Sequence, residues 1–158
     1  MSELIINTTN INQALKIIRE NKGKKILVVA KDEDFNRKLI EKGGFDVIFG
    51  FENLEIKDRL KQRSSGLNHV LCKLANKNKI SIGIDFSKIL SLNEFSLSNY
   101  LGKIAQNIKL CRKYRVKIII INPPKAKQEL VSFLLTLGMD TKMIKYCVNN
   151  SIKINNNF

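Results

Sequence analysis

The chain reads as an α/β protein of parallel βα repeats, built either as an open doubly wound sheet or as an incomplete barrel. Apolar runs of strand length alternate with stretches of helical periodicity along the whole sequence. Residues 116–121 are almost continuously apolar, as expected of a parallel strand covered on both faces. The 158 residues suffice for one domain with a real core, yet a closed barrel of eight units usually needs more.

The elements follow in order. Leu4, Ile5 and Ile6 form a short first strand. Ile11, Leu15 and Ile18 share a helical face, with Asn10 placed to cap it. Residues 25–30 are a buried strand. A helix then starts at about Asp32, turns Phe35 and Leu39 inward and stops at Gly43 and Gly44. Residues 46–49 give the next strand. Residues 51–65 are a polar, charged connection, longer than the usual ~4–6 residues, and connections of that length often carry function.

The scheme then repeats. Leu67, Val70, Leu71 and Leu74 make an i, i+3, i+4, i+7 stripe, so a helix is expected there with Ser64 or Ser65 as its cap. Residues 80–86 are a strand, and a long helix runs from about Leu97 to Tyr114 with Leu97, Leu101, Ile104, Ala105 and Ile108 facing in. Pro123 and Pro124 end the strand at 116–121. Residues 129–137 form a helix closed by Gly138, and Asp140 caps a last short helix through Val148. Residues 151–154 are a further strand candidate. The organisation expected is one domain over residues 1–150 and a short tail over 151–158.

Charge divides the sequence. Residues 1–58 hold ten Lys/Arg and ten Asp/Glu, whereas residues 59–158 hold eighteen and four, so the net charge of +14 lies in the last hundred residues. Biased Lys, Asn and Ile usage would raise the pI of about 9.8 without leaving the first part balanced, so the asymmetry favours a polyanionic partner. No apolar run approaches the ~20 residues a membrane span requires, and Met1 to Asn7 lack the pattern of a secretory leader, so a cytoplasmic protein is expected. Cys72, Cys111 and Cys147 are widely spaced and form no metal knuckle, which suits reduced, buried thiols.

Catalytic motifs are sparse. There is one histidine, His69, and neither a phosphate loop nor a nucleophile elbow occurs. Asp85 ends a strand, where α/β enzymes place acids, but a turn or cap role explains it more simply. His69 follows a basic segment beside apolar positions; a packed imidazole is the first reading, contact with RNA or a partner the second, and proton transfer the third. A small-molecule barrel hydrolase using Asp85 and His69 is thus a rival reading, alongside a general RNA-binding module and a protein-binding scaffold.

Residues 58–71 carry the sharpest signal. Arg59, Lys61 and Arg63 alternate, so an extended backbone would aim them to one side; Ser64, Ser65 and Gly66 then lead into the helical stripe. Guanidinium forks, hydroxyls, a permissive glycine and opening helix amides suit phosphate, although a solvated charged loop is the plainer alternative. A second basic group, Lys109, Arg112, Lys113 and Arg115, spans a helix end where the dipole already favours cations. Tyr114 beside it is a core residue first and a base-stacking candidate second.

Several of these segments together resemble a known family. Leu60-Lys61-Gln62-Arg63-Ser64-Ser65-Gly66-Leu67-Asn68-His69-Val70-Leu71 closely resembles the signature of ribonuclease P protein component 3, the archaeal counterpart of the thirty-kilodalton eukaryotic subunit. The likeness continues in order through Ile82-Gly83-Ile84-Asp85-Phe86-Ser87, the segment from Asn107 to Tyr114, and Phe133-Leu134-Leu135-Thr136-Leu137-Gly138-Met139. Asn36, Arg37 and the stretch from Phe45 to Ile48 extend it upstream, so it covers residues 24–148.

The resemblance implies an incomplete TIM-barrel-like fold related to the polymerase-and-histidinol-phosphatase group. It also implies a non-catalytic subunit: the RNA, using bound Mg²⁺, removes the 5′ leader from precursor tRNA, and the protein binds no cofactor. Implied partners are ribonuclease P RNA, precursor tRNA within the complex and a small ferredoxin-like protein. The implied RNA-contact residues are Arg59, Lys61, Arg63, Ser64, Ser65 and His69, then Lys109, Arg112, Lys113 and Arg115. The chain departs from the family in seeming to begin after one or two further βα units, and in carrying Asn122-Pro123-Pro124-Lys125-Ala126-Lys127 after its strand at 116–121. Lys125 and Lys127 are the candidates to substitute there for the family's basic stretch.

Overall fold

A computed structural model describes residues 3–57 and 64–154. Strands β1 (Glu3–Ile6), β2 (Lys25–Val29), β3 (Val47–Phe49), β4 (Ser81–Asp85) and β5 (Ile118–Ile121) form one sheet. All four pairings are parallel and the strands stand in sequence order. Helices α1 (Ile11–Glu20), α2 (Glu33–Lys42), α3 (His69–Lys77) and α4 (Glu94–Tyr114) fill the crossovers; α5 (Lys127–Thr136) and α6 (Thr141–Asn149) follow β5.

Strand order and packing decide between the two architectures. A doubly wound sheet reverses its strand order at a switch point and carries helices on both faces. Here the order runs straight from β1 to β5. Ile26, Val28, Ile48, Ile82, Ile84 and Ile120 face a core shared with the buried residues of all six helices, among them Ile18, Leu39, Leu71, Ile104, Leu134 and Ile144. The alternate residues Leu27, Val47, Phe49, Ile119 and Ile121 face the other way and form a separate cluster closed by Ile152 and Ile154. Helices on one side of a sequentially ordered parallel sheet make the wall of a TIM-like barrel, here incomplete. Gly83 lies in the crowded inner face: a Cβ there would sit 2.5 Å from Cβ of Phe49 and 2.9 Å from Cδ1 of Ile121.

Local chemistry sets most boundaries as expected. Asn10 accepts from the amides of Asn12 and Gln13, Asp32 from Phe35 and Asp140 from Met143, each satisfying free donors of a first helical turn. Other boundaries differ. The carboxamide of Asn93 accepts from Ser96, so α4 begins at Glu94 rather than near Leu97. Helix α3 is capped by Asn68, whose side chain accepts from the Leu71 amide at 3.0 Å, not by Ser64 or Ser65. Leu67 therefore precedes the helix, Val70 is exposed, and the inward face is Leu71, Cys72 and Ala75.

The connection after β3 is less polar than its composition suggests. A 3₁₀ turn at Phe51–Asn53 buries both Phe51 and Glu52. At the other end of the chain, Ile152 bridges Ile121 in parallel, and its amide donates to the Ile120 carbonyl at 2.9 Å. Ile152 and Ile154 are buried, so residues 151–154 belong to the packed unit and the boundary expected at 150 falls inside it.

Candidate nucleic-acid interface

Helix α4 holds the described parts of the connection between β3 and α3. Its apolar face was expected from Leu97, Leu101, Ile104, Ala105 and Ile108. The helix instead also buries a polar stripe, Tyr100, Lys103 and Asn107, along the same side as Ile104 and Ile108. Each member of the stripe ties down chain that follows β3 or β4. Lys103 Nζ donates to the Leu54 carbonyl at 2.8 Å. The Ser65 hydroxyl donates to Oδ1 of Asn107, and Tyr100 donates to the Asp85 carbonyl at 2.9 Å. Leu54 and Ser65, at the two described ends of the β3–α3 connection, are thus fastened to one helix face. Gly66 completes the closure with φ +80°; a Cβ there would approach Cδ1 of Leu54 and of Ile56 to 2.8 and 2.9 Å.

This geometry sorts the first group of predicted contacts. Ser65 is wholly buried and spends its hydroxyl on Asn107, so it positions the segment and does not face a ligand. Ser64 is half-buried. His69, the first residue of α3, is exposed and not the packed imidazole favoured by its apolar neighbours, because the Asn68 cap starts the helix there with Leu71 and Cys72 inward. Arg59, Lys61 and Arg63 lie outside the described residues.

The acids at the carboxyl ends of the strands are buried and engaged. Glu52 Oε1 accepts from the Asp85 amide at 3.1 Å and faces the Tyr100 hydroxyl at 3.5 Å, while Oε2 is buried without a partner. Burial pushes the Glu52 carboxyl up to about 7, reinforced by the nearby charge of Asp85 and opposed by amide hydrogen bonds. Burial also pushes the Tyr100 phenol well up, with the charges of Glu52 and Asp85 adding to the effect. Asp85 accepts from the Ser87 amide at 2.9 Å and from the Asn122 carboxamide at 3.2 Å, the turn role that its position at a strand end suggested. Among the described residues, no hydrogen bond joins Asp85 to His69, and no three His, Cys, Asp or Glu side chains are grouped to hold a metal.

The second group of predicted contacts comes together as expected for a helix end. Lys109, Arg112 and Lys113 are exposed on the last turns of α4, and exposed Arg115 caps it in the left-handed region at φ 57°. Arg112 donates to the Gly138 carbonyl at 3.3 Å. Tyr114 is half-buried, with the ammonium groups of Lys113 and Lys73 5.6 and 5.8 Å from its ring centre, so its π-face serves its own lysines. Cys72, Cys111 and Cys147 are free and buried. The Cys111 thiol is held well up, first by its hydrogen bond with Cys72 and then by burial; burial pushes the Cys147 thiol up to about 12.

Fold and surface together define a class: a singly wound βα barrel wall whose strand-end acids are buried and whose exposed cations gather at the far end of its longest helix. Similarity to known proteins narrows that class. The chain is 29% identical over 163 aligned residues to ribonuclease P protein component 3 of Methanococcus vannielii, covering 98% of this chain and 67% of that protein. It is 29% identical over 140 residues to the protein of the same name from Methanococcus maripaludis strain C7, covering 84% of this chain and 57% of that one. The corresponding protein of Methanosarcina mazei is 29% identical over 132 residues, covering 80% and 55%. The resemblance drawn from the sequence motifs therefore extends over most of the chain, which spans 55–67% of these curated relatives. No protein-family model matches. Among solved structures, a chain of an archaeal ribonuclease P determined with mature tRNA superposes with a TM-score of 0.70 at 22% identity, covering 94% of this chain and 63% of that one. That likeness establishes the shared fold.

Proposed function

We propose that the chain is a protein subunit of ribonuclease P that supports the catalytic RNA in removing the 5′ leader from precursor tRNA. The observation that carries this reading is the similarity to component 3 over as much as 98% of the chain. The physical role is electrostatic. Arg59, Lys61 and Arg63, with Ser64 and His69 beside them, contact RNA from the connection anchored by α4; Lys109, Arg112, Lys113 and Arg115 make a second contact region. Cations held on a rigid scaffold offset phosphate repulsion and lower the Mg²⁺ an RNA needs to reach its active fold. With ~5 such contacts, binding weakens steeply with salt, the log–log slope being roughly 0.7–0.9 per contact. A small ferredoxin-like protein is the proposed protein partner, and the cytoplasm the proposed site of action.

Reconstitution tests the reading. Adding the chain, with the presumed partner protein, to Methanococcus maripaludis ribonuclease P RNA is expected to raise precursor-tRNA cleavage at limiting Mg²⁺. Unchanged leader removal, or hydrolysis of a metabolite by the isolated protein, would overturn it.

A further inference from the structure

The amino end of the barrel wall gathers cations that the linear sequence scatters. At the amino ends of the strands, four parts of the chain bring Lys24 and Lys25, Lys79, Arg115 and Lys117, and Lys142 to one rim. They line three adjoining concavities, taken together as a trough. A concavity of about 520 Å³ along Lys24, Lys25 and Asp46 shares Lys79 with its neighbour of about 320 Å³. That second concavity shares Arg115 and Lys117 with a third of about 560 Å³, which ends at Lys142 and Tyr146.

Helix-dipole preference suits Arg115 and Lys79, beside the ends of α4 and α3, but not the rest of the rim, because it reaches only the last helical turn. Lys24 and Lys25 lie beyond the end of α1, Lys117 beyond α4, and Lys142 in the first turn of α6, where the dipole disfavours a cation. Two further cations sit in a costly backbone conformation: Lys79 and Arg115 both have φ 57°. The trough's two acids are committed to the fold. Asp46 Oδ2 accepts from the Ile26 amide at 2.7 Å, and Asp140 caps α6. Among the described residues, the ion pair present joins Lys16 to Glu20 on α1, outside the trough.

We infer that the amino-end trough is a binding site for the phosphate backbone of a folded RNA, distinct from the segment at residues 59–65. This rests on the proposed ribonuclease P reading and extends its second contact region from Arg112 and Arg115 along the amino-end rim. Lys25 on β2 and Lys117 before β5 are separated by three inter-strand steps of about 4.8 Å each, so the cations extend over roughly 14 Å of rim and can meet more than one phosphate of a strand. The Tyr146 ring is faced by Lys117 Nζ at 5.0 Å, as Tyr114 is by its lysines. Aromatic rings occupied in this way leave backbone charge and helix shape, and not stacked bases, as what the site reads.

Neutralising the trough tests this. In the variant Lys24→Gln/Lys79→Asn/Lys117→Gln all three sites are exposed, and Asn tolerates the left-handed backbone at position 79. Binding to Methanococcus maripaludis ribonuclease P RNA is followed from 50 to 400 mM salt, with Lys16→Gln/Lys38→Gln/Lys88→Gln as the charge-matched control outside the trough. The expected result is a log–log slope lowered by about 2–2.7 and an affinity about a hundredfold weaker at 0.1 M salt, against little change in the control. A slope that falls equally in both variants, or in neither, overturns the inference. Displacement of the RNA by poly-glutamate at equal charge concentration would also overturn the assignment to RNA. No salt-dependent binding by the unaltered chain would instead overturn the ribonuclease P reading itself.

Discussion

The carboxyl and amino ends of this sheet treat charge in opposite ways. At the carboxyl end, Glu52 and Asp85 are sunk beneath the surface and occupied by backbone amides, a phenol and a carboxamide. At the amino end, Lys24, Lys79, Arg115, Lys117 and Lys142 stand exposed and free of ion pairs among the described residues. Barrel enzymes place their chemistry at the carboxyl end. Here the acids of that end are buried and the described parts of the β3–α3 connection are fastened to α4, while the amino end gathers exposed cations.

The largest expected effect probes the fastening. The Glu52 carboxyl, pushed up to about 7 by burial, binds its proton more tightly folded than unfolded. Its contribution to stability is therefore full below about pH 4.5 and is lost as pH rises towards 7, a swing of up to about 3 kcal/mol. Glu52→Gln keeps the acceptor for the Asp85 amide and removes the titration. Chemical denaturation should show it more stable than the parent at pH 8 by about 2–3 kcal/mol, with a flatter profile between pH 4.5 and 7. A parent profile that rises across that window would refute the buried, protonated Glu52.

The next effect concerns the inner face that separates the two ends. Gly83→Ala would place a methyl 2.5 Å from Cβ of Phe49, a backbone-proximal atom that cannot swing away. A loss of about 1–3 kcal/mol in urea unfolding is expected from overpacking. An unchanged midpoint would mean that this face is not packed as described.

The smallest effect distinguishes binding from folding. Arg63→Ala should leave the unfolding free energy within about 0.5 kcal/mol of the parent. It should weaken RNA binding about five- to eightfold at 0.1 M salt and lower the log–log slope by about 0.7–0.9, the loss of one phosphate contact. A large stability loss with an unaltered slope would assign Arg63 to the fold instead.

The sequence exposed the sheet well because apolar alternation and strand–helix order are local signals. Val28 against Leu27, and Ile120 against Ile121, already divide the two faces that the structure separates. It misled where a tertiary contact outweighed a local one. Ser65 resembles a helix cap or phosphate ligand until Asn107, far along the chain, takes its hydroxyl. Glu52 sits in a charged stretch yet is buried beside Asp85 and Tyr100. Lys103 and Asn107 give no sign in a periodicity count that they face inward. The trough was the least legible feature, since its cations come from separate parts of the chain between Lys24 and Lys142 and the balanced first 58 residues hide Lys24 and Lys25 among acids.

Directed hydroxyl-radical probing tests most directly whether RNA meets the amino end. The three native cysteines are buried, so an iron–EDTA tether can be attached selectively at Lys24→Cys, Lys117→Cys or, on the outer surface of α2, Lys38→Cys. In the complex with ribonuclease P RNA, tethers at 24 and 117 should cut neighbouring backbone positions of the RNA, and the tether at 38 should not. Cleavage from position 38 alone, or equal cleavage from all three, would contradict the account.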